Sequence, residues 1–247
     1  MNGLGRRLPP DFDHVLKFPV RALISDQLLV VPPAGTEKSL GLPWWWKQYD
    51  QGEEGACAGF GHSSMMSITN HYQRRRETGQ DVTFRYAARW LYLEAQFIDG
   101  WDDTPPEEGT TSRAACEILR ARGHRRVQRG VTGPESLDNG ISAYRWATTI
   151  DEIRAAIYSG RAVTIGINWY DSFDGAWIID GERWLPQGNL GSIRGGHCVC
   201  LYRMSDRRQA FMLMNSWGAH YPPTWMPYAT LKRLLSEDGE AVVITDR

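Results

Sequence analysis

Three short segments of this chain carry the side chains that nucleophilic acyl transfer needs: Asp50-Gln51-Gly52-Glu53-Glu54-Gly55-Ala56-Cys57-Ala58-Gly59-Phe60, Gly195-Gly196-His197-Cys198-Val199 and Met214-Asn215-Ser216-Trp217-Gly218. A cysteine in the first turn of a helix meets unpaired N–H groups and the positive end of the helix dipole, which favour thiolate over thiol. Cys57 opens a helix-length stretch and is expected to be that thiolate, with Cys116, Cys198 and Cys200 inert. An imidazole beside it, His197, can complete an ion pair and later hand its proton to a leaving amine. Asn215 would orient the second ring nitrogen of His197 while Trp217 shields that hydrogen bond, and a neutral orienter preserves the ion pair better than a carboxylate. The Gln51 side-chain amide and the Cys57 backbone N–H would form an oxyanion hole. Each residue alone has a plainer reading, as core filler, turn former or surface amide. Together and in this order they point to chemistry.

These residues must be positioned by the elements around them. The spacing predicts helices over Cys57 to Arg76, Phe84 to Ile98 and Thr111 to Arg122, the first with interior glycines that only burial can hold. A further helix, Ile150 to Ser159, opens on a Thr149-x-x-Glu152 capping box. Strands are expected over Arg161 to Trp169, and His197 to Arg203 with Gln209 to Asn215 reads as a hairpin. Helices first and strands later give an α+β chain of two lobes, with the site in the cleft between them. The boundaries read as an extended N-terminal arm over 1–41 and a catalytic domain over 42–247, its helical lobe at about 50–125 and its β lobe at about 126–247.

In order and spacing the three segments resemble the papain-like cysteine peptidases, in which a Gln precedes the nucleophilic Cys by six residues and a His and then an Asn follow far downstream. The resemblance implies the papain-like fold, a helical N-terminal lobe facing a β-sheet or barrel lobe, and a thiol peptidase acting through a Cys57 acyl-enzyme. Glu108-Gly109-Thr110-Thr111-Ser112 falls where the family has a glycine loop that pairs with substrate backbone. By the same analogy Gly109 is the pairing position, and Thr110 and Cys198 lie near the pocket for the second residue before the scissile bond. The chain departs from the pattern at Ala58, where the family has Trp, at Glu54, where a Cys is common, and at Ala219-His220-Tyr221-Pro222-Pro223 after the NSWG motif. These departures bear on substrate preference and catalytic vigour.

Only 56 residues precede Cys57, short for a conventional propeptide. The arm is therefore expected to lock the lobes together without covering Cys57, with Leu28 to Val31 pairing as a strand and Trp44 to Trp46 pinning its exit.

Charge and composition narrow the partners. With 28 Lys plus Arg against 29 Asp plus Glu, the net charge of -1 gives no footprint for nucleic acid or an anionic membrane, and a peptide or protein substrate is the expected partner. Four cysteines without paired CxxC knuckles suggest free thiols in a reducing, cytoplasmic setting, or in a virion if the chain is phage-encoded. No signal peptide or spanning segment is read from the sequence. His197-Cys198-x-Cys200 alternates faces along a strand, so no metal is expected, nor any other cofactor. Two further readings stand beside the peptidase: a papain-fold subunit that binds peptide or serves a larger assembly, and a Cys/His cell-wall amidase.

Overall fold

The computed structural model describes residues 3–8, 19–20, 29–99 and 108–246. Its central helix α1, Cys57–Thr78, is buried at every position from Cys57 to Thr69, which explains why the sequence there lacks an apolar stripe. Gly59 has a packing reason to be glycine: a Cβ there would lie 2.6 Å from the backbone N of Tyr92, on helix α2, Ala88–Ile98. The roughly 1 kcal/mol helix penalty of glycine is thus exchanged for close contact between two helices. Helix α3, Ser112–Ala121, starts at an N-cap Thr111 whose side chain accepts from the Ala114 N–H. The stretch read as helix from Phe84 is instead strand β3, Arg85–Tyr86, before α2 begins. β3 pairs antiparallel with β5, His124–Gln128, which pairs with β6, Val131–Ser136.

On the other side of the molecule the described residues form a nine-stranded sheet. Its long strand β11, Ile193–Ser205, lies between β8, Val163–Tyr170, and β12, Ala210–Met214, antiparallel to both, and forms the expected hairpin with β12. Strand β14, Glu240–Asp246, pairs with β8 on the side away from β11 and with β7, Ile141–Trp146. Helix α4, Ile150–Tyr158, carries both hydrogen bonds of the Thr149/Glu152 capping box. One helix escaped the sequence reading: α5, Tyr228–Ser236, which follows β13, Thr224–Pro227. Among the described residues no helix is long and apolar enough to cross a membrane.

The arm departs from expectation. Leu28 lies outside the described residues, and Leu29 to Val31 form no strand; Leu29 is buried, but Val30 and Val31 are exposed. The pairing segments are β1, Arg6–Arg7, and β2, Glu37–Ser39. β2 adds antiparallel to Arg203–Ser205 of β11, helped by Asp206, whose carboxylate accepts from the Thr36 N–H at 3.0 Å. Arg154 Nη2 donates to the Pro32 and Pro33 carbonyls. Of the three tryptophans, Trp45 donates to the Val82 carbonyl and Trp46 packs edge-on to Tyr49, whereas Trp44 is 90% exposed and pins nothing.

Candidate active site

Cys57 is the first residue of α1, and that helix end has neither a capping side chain nor an acidic residue in its first turn. Its N–H groups are thereby left facing the nucleophile position, at a cost of about 1 kcal/mol relative to a capped helix. The Cys57 sulfur packs with Cys198, and the backbone of Gly5, Cys198 and Ala58 lies against it.

His197 precedes Cys198 on β11, and its protonation pattern follows from its neighbours. The Ser216 N–H donates to Asn215 Oδ1 at 2.7 Å, which fixes that atom as an acceptor. His197 Nε2, 2.8 Å from the same oxygen, must then carry the hydrogen. In the neutral ring this leaves a lone pair on Nδ1, which has no hydrogen-bond partner among the described residues. Trp217 stacks on the ring at 4.8 Å between centroids, and Trp169 meets it edge-on at 4.8 Å. Tyr221, in the segment where the sequence departs from the family pattern, packs against both tryptophans and donates its hydroxyl to the Phe173 carbonyl. The altered segment therefore still builds the aromatic wall behind His197.

Gln51 is tied to the same wall. Its N–H donates to the Ser216 carbonyl at 2.8 Å, Gly218 donates to the Tyr49 carbonyl at 2.9 Å, and the Ser216 hydroxyl donates to Gln51 Oε1. The side-chain amide is thus held with its N–H groups turned to the Glu54 carbonyl at 2.7 Å and the Gly3 carbonyl at 3.2 Å.

That last contact belongs to the arm, and it overturns the expectation of a lock that leaves Cys57 clear. Residues 3–7 run between the lobes over the sulfur: β1 pairs in parallel with β4, Thr110–Thr111, and the Thr110 N–H donates to the Gly5 carbonyl at 2.9 Å. Gly5 can pass only because it lacks a side chain, since a Cβ there would fall 1.8 Å from the Gly55 carbonyl oxygen. Gly109 sits at φ +98°, close against the Gly5 backbone. The glycine loop therefore pairs with a peptide backbone, and that backbone is the chain's own. The Thr110 hydroxyl donates to Asp99 at 2.6 Å, and Ser112 and Glu240 lie beside Cys198.

Covering the site changes its electrostatics. Burial pushes the Cys57 thiol up to about 11, against the pull of the neighbouring backbone dipoles and of Arg6. Burial likewise lowers His197 to about 4, with its bond to Asn215 opposing. With the arm in place the pair is a neutral thiol and a neutral imidazole near pH 7, so the expected low-pKa thiolate does not exist in this state. Cys116, Cys198 and Cys200 are also buried free thiols, raised by desolvation. Among the described residues no cluster of His, Cys, Asp or Glu could hold a metal ion.

Sequence reasoning missed Arg6, Trp169 and Glu240, and gave Ser112 only as the end of the glycine-loop segment. Trp169 is visible only as the end of a β-branched run, and Arg6 and Glu240 carry no local signal.

The fold places the chain among known structures. It is the papain-like two-lobe fold: the chain superposes over its whole length, with a TM-score of 0.67 and 18% identity, on xylellain, a cysteine protease from Xylella fastidiosa, covering 96% of that chain. A procathepsin B from Trypanosoma congolense is similar at TM-score 0.66 and 11% identity, over 99% of this chain and 87% of that one. A procathepsin L2 from Tenebrio molitor matches at 0.60 and 16%, over 99% and 78%. No protein-family model matches the sequence. No curated protein matches it either.

Proposed function

We propose that this chain is a thiol peptidase held closed by its own arm. The observation that carries the reading is the tautomer of His197: the Ser216 amide fixes Asn215 as acceptor, so the ring keeps an unclaimed Nδ1 to serve as base, while Cys57 starts an uncapped helix. Once the arm leaves, water and the helix N-terminus ease ionisation of the thiol, and Nδ1 takes its proton as the sulfur attacks. The sulfur attacks the substrate carbonyl carbon, the C=O electron pair moves to oxygen, and the Gln51 amide with the Cys57 N–H binds that oxyanion. The Gly3 carbonyl bound to Gln51 is a neutral stand-in for this interaction. As the C–N bond breaks, His197 gives its proton to the leaving amine and a thioester remains. His197 then deprotonates a water whose oxygen attacks the thioester carbonyl; the C–S bond breaks, the acid product leaves, and His197 returns the proton to sulfur. The proforms among the similar structures support an arm that must be displaced before substrate enters.

Treating the full chain with an active-site-directed epoxide after mild loosening of the arm should modify Cys57 ahead of the other three thiols. Casein or a fluorogenic peptide should be hydrolysed by the wild type and not by Cys57→Ser. Equal labelling of all four cysteines, or activity that survives Cys57→Ser, overturns the proposal.

A further inference from the structure

The helical lobe holds a cavity of about 370 Å³ that the acyl-transfer chemistry does not use. One wall comes from the three-stranded sheet, where Arg85 on β3 stands opposite Val127 on β5 and Val127 opposite Thr132 on β6, so the three side chains leave the same face. Phe60 of α1 and Trp90 of α2 line it from the helices. The walls are mostly apolar and carry two guanidinium groups, of Arg85 and Arg89. Arg89 is taken by Glu54 at 3.1 Å, whereas Arg85 lies over the rings of Tyr49 and Trp46, its Cζ 4.1 and 4.9 Å from their centroids. Ring faces offset part of its charge but offer no acceptor to its N–H groups. Arg85 as a whole is half-buried, yet its Nε and Nη2 are shielded from solvent and have no hydrogen-bond partner among the described residues. The Trp90 indole N–H, on the same cavity, is unpartnered too. Buried donors left without acceptors are costly, and several of them around one apolar cavity point to an acceptor that a ligand supplies.

We propose that this cavity binds an organic carboxylate that carries an aromatic ring, whether a free aromatic acid or the C-terminal residue of a peptide. Nε and Nη2 form one edge of the guanidinium, the edge that grips both oxygens of a carboxylate through two parallel N–H···O bonds. With Arg89 neutralised by Glu54, one uncompensated cation remains; it balances a monoanion, whereas a phosphate dianion would bring a second charge into apolar surroundings. The volume takes a single ring with a short side arm, and Phe60, Tyr86 and Trp90 supply the aromatic surface around it. The Trp90 N–H would meet a second acceptor, such as the amide carbonyl that an acylated residue has and a plain acid lacks. The cavity shares no residue with Cys57, His197, Asn215, Gln51 or the segment 3–7, so the site exists with the arm closed and does not rest on the peptidase reading.

The test is calorimetric titration of the full-length protein with N-acetylphenylalanine, 3-phenylpropionate and the uncharged N-acetylphenylalaninamide. Both acids should bind at one site per chain, and the amide at least about tenfold more weakly than N-acetylphenylalanine, because a site built to hydrogen-bond a group rejects the analogue that lacks it. Tighter binding of N-acetylphenylalanine than of 3-phenylpropionate assigns the site to peptide C-termini; equal binding or the reverse order assigns it to free aromatic acids. Arg85→Lys keeps a cation over the rings but loses the planar fork, and should weaken both acids by about tenfold. Arg85→Gln should bring N-acetylphenylalanine down to the level of its amide, and if that variant does not fold, Arg85→Lys decides. Failure of both acids to bind, equal binding of N-acetylphenylalanine and its amide, or acids held as tightly by Arg85→Lys as by the wild type overturns the assignment.

Discussion

Cys57 with His197, and Arg6 with Glu240, lie side by side under the same arm and are buried almost equally, yet one pair is neutral and the other is paired as ions. The difference lies in what each group was given on losing water. Glu240 receives a guanidinium and a serine hydroxyl, so its charge is compensated where it stands. Cys57 has nearby backbone dipoles but no cation bound to it, and desolvation wins. The same closure therefore silences the chemical pair and keeps the ion pair charged.

The severest way to break this comparison is to remove the nucleophile. In an Arg6→Ala background, Cys57→Ser should lower hydrolysis of a fluorogenic peptide by more than about 1,000-fold, since the residues of such a unit fail together. Any smaller loss would mean that the sulfur is not the reacting atom.

Removing the paired cation should open the silent half. With Arg6→Ala the closed state buries Glu240 without its partner, a cost of about 3–5 kcal/mol, whereas the open state can hydrate the carboxylate. The penalty falls on closure, so alkylation of Cys57 by iodoacetamide at pH 7 should speed up by about 100-fold or more, at 1.36 kcal/mol per decade. Rates read from the mass of the Cys57 peptide would decide it, and an unchanged rate would mean that β1 is held by its backbone bonds alone.

A smaller effect should come from pH. His197 is lowered to about 4 under the arm and returns towards its ordinary 6.5 when exposed, so the open state binds the extra proton between those values and acid favours opening. Cys57 is raised to about 11 from an ordinary 9, so the closed state keeps a proton that the open state releases between those values, and alkali favours opening too. Closure is therefore tightest from about pH 6.5 to 9, and outside that window it should weaken by at most about tenfold per pH unit for each group. Hydrogen exchange in residues 3–7, corrected for its intrinsic pH dependence, should pass through a minimum there. His62 and His124, lowered by burial to about 4 and about 3, lie within the body. Their stabilising contribution also fades as pH falls below 6.5, but it should appear in whole-chain melting and not in the arm alone.

What the sequence disclosed and what it hid divide along the same line. Cys57, His197, Asn215 and Gln51 stand in contiguous motifs whose spacing is fixed by local backbone, and the capping box at Thr149 is three residues long. The two-residue strand β1 has no periodicity to detect. The Arg6–Glu240 contact joins positions 234 apart, so no local pattern announces it. Leu28 to Val31, the apolar run of the arm, attracted a strand assignment on hydrophobicity, whereas Glu37–Ser39 pairs through its backbone and through Glu37 Oε1, which accepts from the Ser205 hydroxyl at 2.7 Å.

The smallest effect separates the arm from the rest of the fold. Thr149 caps α4, its hydroxyl accepting from the Glu152 N–H at 3.2 Å while the Glu152 carboxylate accepts from the N–H groups of Thr148 and Thr149. Thr149→Ala removes one half of that reciprocal pair and should cost about 1 kcal/mol, a fall of about 2–4 °C in Tm for a chain of this size. None of these bonds touches residues 3–7, so if the arm opens as a local unit the Cys57 alkylation rate should stay within about twofold of wild type. A rate that rises in proportion to the lost stability would mean that reagent reaches Cys57 only through global unfolding. In that case the β1 contacts would be part of the cooperative core, and the arm would not be a separate low-stability segment.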